Sequence, residues 1–187
     1  QTVVLYLVLI LIFALVWFVF PAHNTLALIG WFILVVAMMV VTFLVKSQHK
    51  LLLLSALLII GVNLILNSWF YPHLLKYQAG SEMAVKAKED GVTKGNFYSY
   101  KSGQPWSMNF YLDRVIPVTD DLELLINKKD ILIYTSEEYV EEIKKQRPDL
   151  QIVHSMGEYP VTRLKMKFLN PATREQTLTR MCLIKLQ

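Results

Sequence analysis

The amino-acid sequence predicts a membrane α-helical protein of three spans that is followed by a small α/β domain. The 187 residues have a mean hydropathy of +0.38, but their charges are distributed very unevenly. Residues 1–76 contain no Asp or Glu and only three Lys, whereas residues 77–187 hold all 15 acidic residues and 16 of the 19 basic ones. This division excludes a single soluble domain, a disordered chain and a basic nucleic-acid binder, so we expect no nucleic acid among the partners.

Three apolar segments in residues 1–76 are long enough to cross a bilayer, at about 3–20, 26–45 and 51–71. A helix needs roughly 20 apolar residues to cross the hydrocarbon core. The first segment lacks the basic leader and small-residue cleavage site of a signal peptide, and Gln1 already lies at its start. We therefore expect further N-terminal transmembrane helices, missing from this sequence, to be partners together with the lipid bilayer.

The connections between the spans predict their orientation. Residues 21–25 contain no Lys or Arg, whereas residues 46–50 contain Lys46 and Lys50. Short loops rich in Lys and Arg stay in the cytoplasm, so the third span ends on the outer face. The sequence therefore predicts a multi-pass protein of the cytoplasmic (inner) membrane in which residues 77–187 form an extracytoplasmic domain.

Helix and strand patterns alternate through the first part of this domain. Residues 81–90 begin with a capping residue, are rich in helix formers and stop at a glycine, which predicts a helix. Residues 96–101 alternate aromatic and polar side chains, as strands do. A short helix at 106–113 and a second strand at 115–118 follow.

The middle of the domain has the same alternation. A helical turn is predicted at 121–126 and a compact buried strand at 130–134. Thr135 and Glu138 have the spacing of a capping box, which predicts a helix that begins after Thr135 and continues through Lys145.

Two further strands are predicted, at 151–154 and 178–186. Strands that alternate with helices of about ten residues indicate an α/β domain with a partly parallel sheet. At about 110 residues, this domain is large enough to bury a core of its own.

Residues that carry chemistry are isolated from one another. The seven glycines form no phosphate-binding motif, and His23, His49, His73 and His154 have no HExxH spacing and no cysteine partner. Cys182 lies in an apolar strand pattern, which favours a buried thiol over a nucleophile. We therefore predict neither a metal nor a cofactor in this chain.

Two sets of charged residues are predicted to have structural roles. Asp120 and Asp121 precede a helical turn, so capping is favoured over a metal-binding or catalytic pair. The acidic and basic residues between 137 and 145 are interpreted as a solvent-exposed helix face with local charge pairs.

Polar side chains in the third span leave two alternatives open. Asn63 and Asn67 are four residues apart and share one helix face. Hydrogen bonding between helices is favoured over the lining of a substrate cavity.

A cluster of polar and aromatic residues near the outer end of the third span is the candidate substrate-binding site. Its members are Tyr71, His73, Lys76 and Tyr77. These side chains can contact a lipid phosphate or a sugar, but anchoring at the membrane interface explains them equally well.

Several segments resemble a known family. The segments are Asn-Ser-Trp-Phe-Tyr-Pro at 67–72, Leu-Leu-Lys-Tyr-Gln-Ala-Gly at 74–80, Asn-Phe-Tyr-Leu-Asp-Arg at 109–114, Val-Ile-Pro-Val at 115–118 and Phe-Leu-Asn-Pro-Ala-Thr-Arg at 168–174. They are similar to the last membrane helix and exported domain of bacterial GT-C glycosyltransferases, the family of the lipid A aminoarabinose transferase and the protein O-mannosyltransferases.

This resemblance implies an inverting transferase that takes a sugar from a polyprenyl-phosphate donor. The acceptor, a lipid A-like glycolipid or a protein, lies on the outer face of the cytoplasmic membrane. The family's catalytic carboxylate lies in the first exported loop of the whole protein, and residues 21–25 contain no Asp or Glu. No catalytic residue is therefore assigned to this chain, and we expect the chain alone to be inactive.

A non-enzymatic protein is the alternative: a membrane-anchored sensor or assembly module whose exported domain binds a ligand. Eight or more upstream spans, with an acidic residue in the first exported loop, favour the transferase. A cytoplasmic signalling domain favours the sensor.

Overall fold

The structure is a computed structural model that describes residues 1–21, 25–92 and 95–186, without the side chains of residues 47 and 48. The chain forms two compact units, Gln1–Leu75 with Lys165–Thr173 and Lys76–Leu164 with Arg174–Gln187. We name them the helical unit and the sheet unit. Most of the first connection, which entered the orientation prediction, lies outside the described residues.

The helical unit contains three helices that are long and apolar enough to cross a membrane, which confirms that prediction. The first two are α1, Thr2–Val19, and α2, Thr25–Leu44. The third begins as α3, Ser47–Ile65.

The third helix continues further than the sequence pattern indicated. A π-helical turn, Leu66–Phe70, follows α3 directly and leads into α4, Tyr71–Leu75. Proline interrupts α-helical hydrogen bonding, which is why the predicted end was residue 71. The wider turn before Pro72 changes the hydrogen-bond spacing there, so the helix passes through the proline to Leu75.

The two asparagines of the third span bond to their own helix, so hydrogen bonding to other helices stays a prediction for them. The Asn63 amide donates to the Ile59 carbonyl and the Asn67 amide donates to the Asn63 carbonyl, both at 2.9 Å. Each amide group therefore donates to the backbone of its own helix, four residues earlier.

Other side chains connect the helices. Trp69 is fully buried, and its indole N–H donates to the Phe20 carbonyl at 3.0 Å. The hydroxyls of Tyr6 and Thr42 lie 3.0 Å apart and join α1 to α2. In a hydrocarbon environment such polar contacts between helices add to close packing.

The sheet unit contains a mixed five-stranded sheet, which confirms the prediction of a partly parallel sheet. The strands are β1 Asn96–Tyr100, β2 Val118–Thr119, β3 Ile131–Ser136, β4 Gln151–Glu158 and β5 Thr179–Leu186. Their order is β2-β1-β3-β5-β4. β1 pairs in parallel with β2 and β3, whereas β5 pairs antiparallel with β3 and β4.

Helices cover both faces of this sheet. They are α5 Ala79–Glu89, α6 Trp106–Leu112, α7 Glu123–Ile126 and α8 Glu137–Gln146. One core layer joins α5 and α6 to β1 through Met83, Met108 and Phe97, and the other joins α8 to β3 through Ile143 and Ile133. Successive strand residues point to opposite faces of the sheet. Because both faces are covered, every residue of the central strand β3 is buried.

Most elements lie within two residues of their predicted bounds, but two strands differ more and one helix was not predicted. The strand predicted at 115–118 is only Val118–Thr119, because Ile116 lies in a loop where its N–H donates to the Asn109 side chain. The strand predicted at 151–154 continues to Glu158 in full pairing with β5. A further short helix, α9 Met166–Leu169, belongs to the helical unit.

Thr135 was wrongly predicted to cap a helix. It is the fifth residue of β3, fully buried, and its hydroxyl donates to the Tyr100 carbonyl at 3.0 Å. Ser136 is the residue that precedes α8, and its hydroxyl donates to the Glu138 carboxylate at 3.1 Å.

The charged helix face is only partly solvated. Glu141 and Lys144 form the kind of local pair that was predicted, with 3.9 Å between Nζ and the carboxylate. Glu142 instead accepts hydrogen bonds from Lys101, at 3.0 and 3.1 Å, and from the Tyr100 hydroxyl. The Lys101 ammonium holds the pKa of Glu142 below its usual value.

Candidate functional site

Two of the four predicted site residues, Tyr71 and His73, lie in α4 of the helical unit. His73 Nδ1 is 2.7 Å from the Trp69 carbonyl, and the imidazole stacks on Phe20 with 5.7 Å between ring centroids. These contacts fix the imidazole against the helical unit. Tyr71 is exposed.

The other two, Lys76 and Tyr77, belong to the sheet unit. Lys76 is exposed. The Arg174 guanidinium lies over the Tyr77 ring at 5.6 Å, and the Tyr77 carbonyl accepts a hydrogen bond from the Tyr159 N–H at 2.9 Å. Tyr77 is therefore integrated into the sheet unit, while the Lys76 ammonium is available to solvent.

The sheet unit contains a cavity of about 510 Å³ that the sequence analysis did not predict. We name it the sheet-edge cavity. Its lining residues come from the start of α5, the loop after β1, the start of α6, the end of β3, and the end of β4 with the segment that follows it. They are Gln78, Gly80, Ser102, Gln104, Pro105, Trp106, Ser107, Tyr134, Glu158, Tyr159, Pro160, Val161 and Thr162.

The sheet topology explains why these residues meet. β1 and β3 are parallel, and β4 runs in the same direction as β3 because both are antiparallel to β5. The carboxyl ends of all three strands therefore lie at one edge of the sheet. In open α/β sheets, this is the edge where ligands bind.

Tyr134 and Glu158 form the polar centre of the cavity. The Tyr134 hydroxyl donates to Glu158 Oε2 at 3.1 Å. Burial raises the pKa of Glu158, although the hydrogen bond from Tyr134 opposes this shift. Burial, with the adjacent carboxylate, raises the pKa of Tyr134 so far that its phenol stays protonated. No ion pair to Glu158 is present within the described ranges, so this carboxylate is held by a neutral donor.

The loop after β1 and the first residues of α6 form another part of the lining. The Gln104 amide donates to the Ile116 carbonyl at 3.2 Å, which anchors the loop. Trp106 is 76% exposed and presents a large flat apolar surface. A Cβ atom at Gly80 would lie 2.8 Å from the Ser107 hydroxyl, so a glycine lets α5 approach the start of α6 closely.

Sequence reasoning missed this cavity for identifiable reasons. In the sequence, Trp106 begins a predicted helix and Tyr134 ends a predicted buried strand. The positions of both, at or just after the ends of parallel strands, were a usable signal. Glu158 had no such signal because β4 was predicted to end four residues earlier.

Other candidate groups have structural roles. Cys182 is buried in β5, where burial raises the pKa of its thiol. Asp121 accepts a hydrogen bond from the Glu123 N–H at 2.9 Å, in agreement with the predicted capping role. His154 Nε2 lies 3.0 Å from Asp90 Oδ2 without hydrogen-bond geometry. The described residues include no group of three or more His, Cys, Asp or Glu that could hold a metal.

Comparison of the chain with protein-family models, with curated proteins and with solved structures found no match. A functional proposal therefore depends on the chemistry of the residues in each unit and on the sequence resemblance described above.

Proposed function

We propose that this chain is the C-terminal part of an integral-membrane glycosyltransferase. The enzyme moves a sugar from a polyprenyl-phosphate carrier to a lipid A-like glycolipid or a protein on the outer face of the cytoplasmic membrane. The observation that supports the proposal best is the sheet-edge cavity, because its groups suit a saccharide.

A sugar ring presents hydroxyl groups around its rim and apolar C–H groups on its faces. The Glu158 carboxylate accepts hydrogen bonds from hydroxyls, and the Ser107 hydroxyl both donates and accepts them. The exposed Trp106 ring offers a flat surface for a sugar face. A volume of about 510 Å³ also lies within the usual range for small-ligand sites.

Glu158 is proposed to bind the acceptor sugar rather than to transfer it. Residues 1–76 contain no acidic residue, so the catalytic carboxylate is proposed to lie upstream, in the first exported loop of the whole protein. Lys76, an exposed cation that directly follows α4 in the chain, is proposed to contact the carrier phosphate.

The sensor or assembly module remains the second candidate. The sheet-edge cavity supports it, because ligand sensing needs a cavity but no catalytic group in any part of the protein. Both candidate functions use the sheet-edge cavity to bind a ligand, so a measurement of sugar transfer is needed to distinguish the transferase from the sensor.

The test is sugar transfer by the whole protein in liposomes, with mannose-linked and aminoarabinose-linked polyprenyl phosphates as donors. Trp106→Ala and Glu158→Gln should raise the KM for the acceptor about tenfold and change kcat less, since a lost binding contact of about 1.4 kcal/mol has this effect. Glu123→Gln, which changes an exposed carboxylate on α7, is the matched control. Ligand binding without transfer from either donor would favour the sensor and contradict the transferase.

A further inference from the structure

A second concave surface lies in the helical unit, between the end of α1 and the segment 165–173. Leu15 and Phe18 of α1 form one wall and are 54% and 59% exposed. Met166, which is 81% exposed, and Leu169 form the other wall. The groove has a volume of about 640 Å³, and we name it the α1–α9 groove.

The segment that forms the second wall is held in a defined conformation. Phe168 is fully buried and anchors it. The Thr173 hydroxyl donates to the Lys167 carbonyl at 2.6 Å, and the Asn170 N–H donates to the Met166 carbonyl at 3.0 Å. The groove is therefore largely pre-formed, which lowers the entropic cost of binding.

The polar residues of the groove are basic or neutral. Lys167, Asn170 and Thr173 lie together on the α9 side, and Lys167 is exposed. Residues 1–75 and 165–173, which form the whole helical unit, contain no Asp or Glu. A ligand with a negative head group and a hydrocarbon chain matches this distribution of charge.

The position of the groove along α1 fits such a ligand. Leu15 lies one turn inside the membrane-spanning helix, whereas Val19 is its last residue. The ends of a spanning helix lie at the level of the lipid head groups. A hydrocarbon chain beside Leu15 and Phe18 would thus place its head group at the depth of Lys167.

We propose that the α1–α9 groove binds one anionic phospholipid of the surrounding bilayer. An acyl chain packs on Leu15, Phe18 and Met166, and the phosphate pairs with Lys167. The bilayer supplies the occupant, because three membrane-length helices place this surface among lipids. The inference does not depend on the proposed transferase function.

The test is native mass spectrometry of the whole protein in detergent, titrated separately with phosphatidylglycerol and phosphatidylcholine. One phosphatidylglycerol should be retained in preference to phosphatidylcholine. Lys167→Gln should weaken its binding about fivefold, as expected for one Lys–phosphate attraction at a membrane surface. Lys46→Gln, an exposed lysine in the connection between α2 and α3, is the control and should leave this binding unchanged.

A second variant tests the acyl chain. Leu15→Trp should fill the groove and reduce phosphatidylglycerol retention with Lys167 intact; circular dichroism checks that the variant folds. Equal retention of the two lipids, or equal effects of Lys167→Gln and Lys46→Gln, would overturn the proposal. Displacement of the bound phospholipid by equimolar polyprenyl phosphate would also overturn it, and would assign the groove to the carrier.

Discussion

The hydroxyl of Tyr134 donates a 3.1 Å hydrogen bond to the carboxylate of Glu158 across the intervening strand β5. Tyr134 lies near the end of β3 and Glu158 is the last residue of β4. The bond joins the carboxyl ends of two strands that are not neighbours, and it fixes a partly buried carboxylate in the sheet-edge cavity.

This arrangement predicts how stability depends on pH. Burial raises the folded-state pKa of Glu158 above its ordinary value of 4.5. The protonated Glu158 carboxyl therefore contributes to the free energy of unfolding below pH 4.5, and this contribution is lost as pH rises through the folded-state pKa. Glu158→Gln removes the buried charge, so its Tm should exceed that of the parent by a few degrees at pH 7.5. Thermal melts from pH 4 to 8 measure the difference.

The two melting curves should converge near pH 4, where the parent carboxyl is protonated. Glu123→Gln should show no such pH-dependent difference, since Glu123 is exposed on α7. A parent that is more stable than Glu158→Gln at pH 7.5 would contradict the inferred direction of the pKa shift.

Membrane orientation can be tested by labelling introduced cysteines with an impermeant maleimide in intact cells. Cys182 should react slowly because it is buried and its pKa is raised, so an added thiol dominates the signal. A cysteine at His49, which keeps both loop lysines, should be protected until the cells are permeabilised. A cysteine at Lys129 should react at once; the reverse pattern would overturn the orientation predicted from Lys46 and Lys50.

Thr135 and Ser136 should differ in their contributions to stability. Thr135→Val removes the buried hydrogen bond to the Tyr100 carbonyl and should reduce the free energy of unfolding by about 1–2 kcal/mol. Ser136→Ala should cost about 0.5 kcal/mol or less, because its hydroxyl contacts the Glu138 side chain instead of a helix N–H. Urea denaturation compares them, and a larger effect at Ser136 would contradict this ranking and make Ser136 a stabilising cap of α8.

Asp120 and Asp121 should affect stability and not chemistry. Asp121→Ala removes the acceptor of the Glu123 N–H and should cost about 1 kcal/mol, whereas Asp121→Asn keeps an oxygen there and should cost less. If the whole protein is the proposed transferase, its sugar transfer should persist with Asp120→Asn and Asp121→Asn. Loss of turnover in either folded variant would place the catalytic centre in the sheet unit.

Features that depend on local composition could be predicted from the amino-acid sequence. Three membrane-length helices follow from uninterrupted apolar segments, since a span must satisfy its own backbone and face hydrocarbon at nearly every position. Strands β1, β3 and β5 follow from short aromatic or apolar runs, and α5 and α8 from helix formers that end at Gly91 and before Pro148.

Contacts between distant residues depend on the tertiary fold and could not be predicted from local patterns. The end of β4 at Glu158 depends on pairing with β5, more than twenty residues later in the chain, and no local pattern records that register. Thr135 lies in β3 because its hydroxyl finds the Tyr100 carbonyl on the neighbouring strand. The sheet-edge cavity and the α1–α9 groove combine residues distant in sequence, so their chemistry arises from strand order and packing, which periodicity alone does not specify.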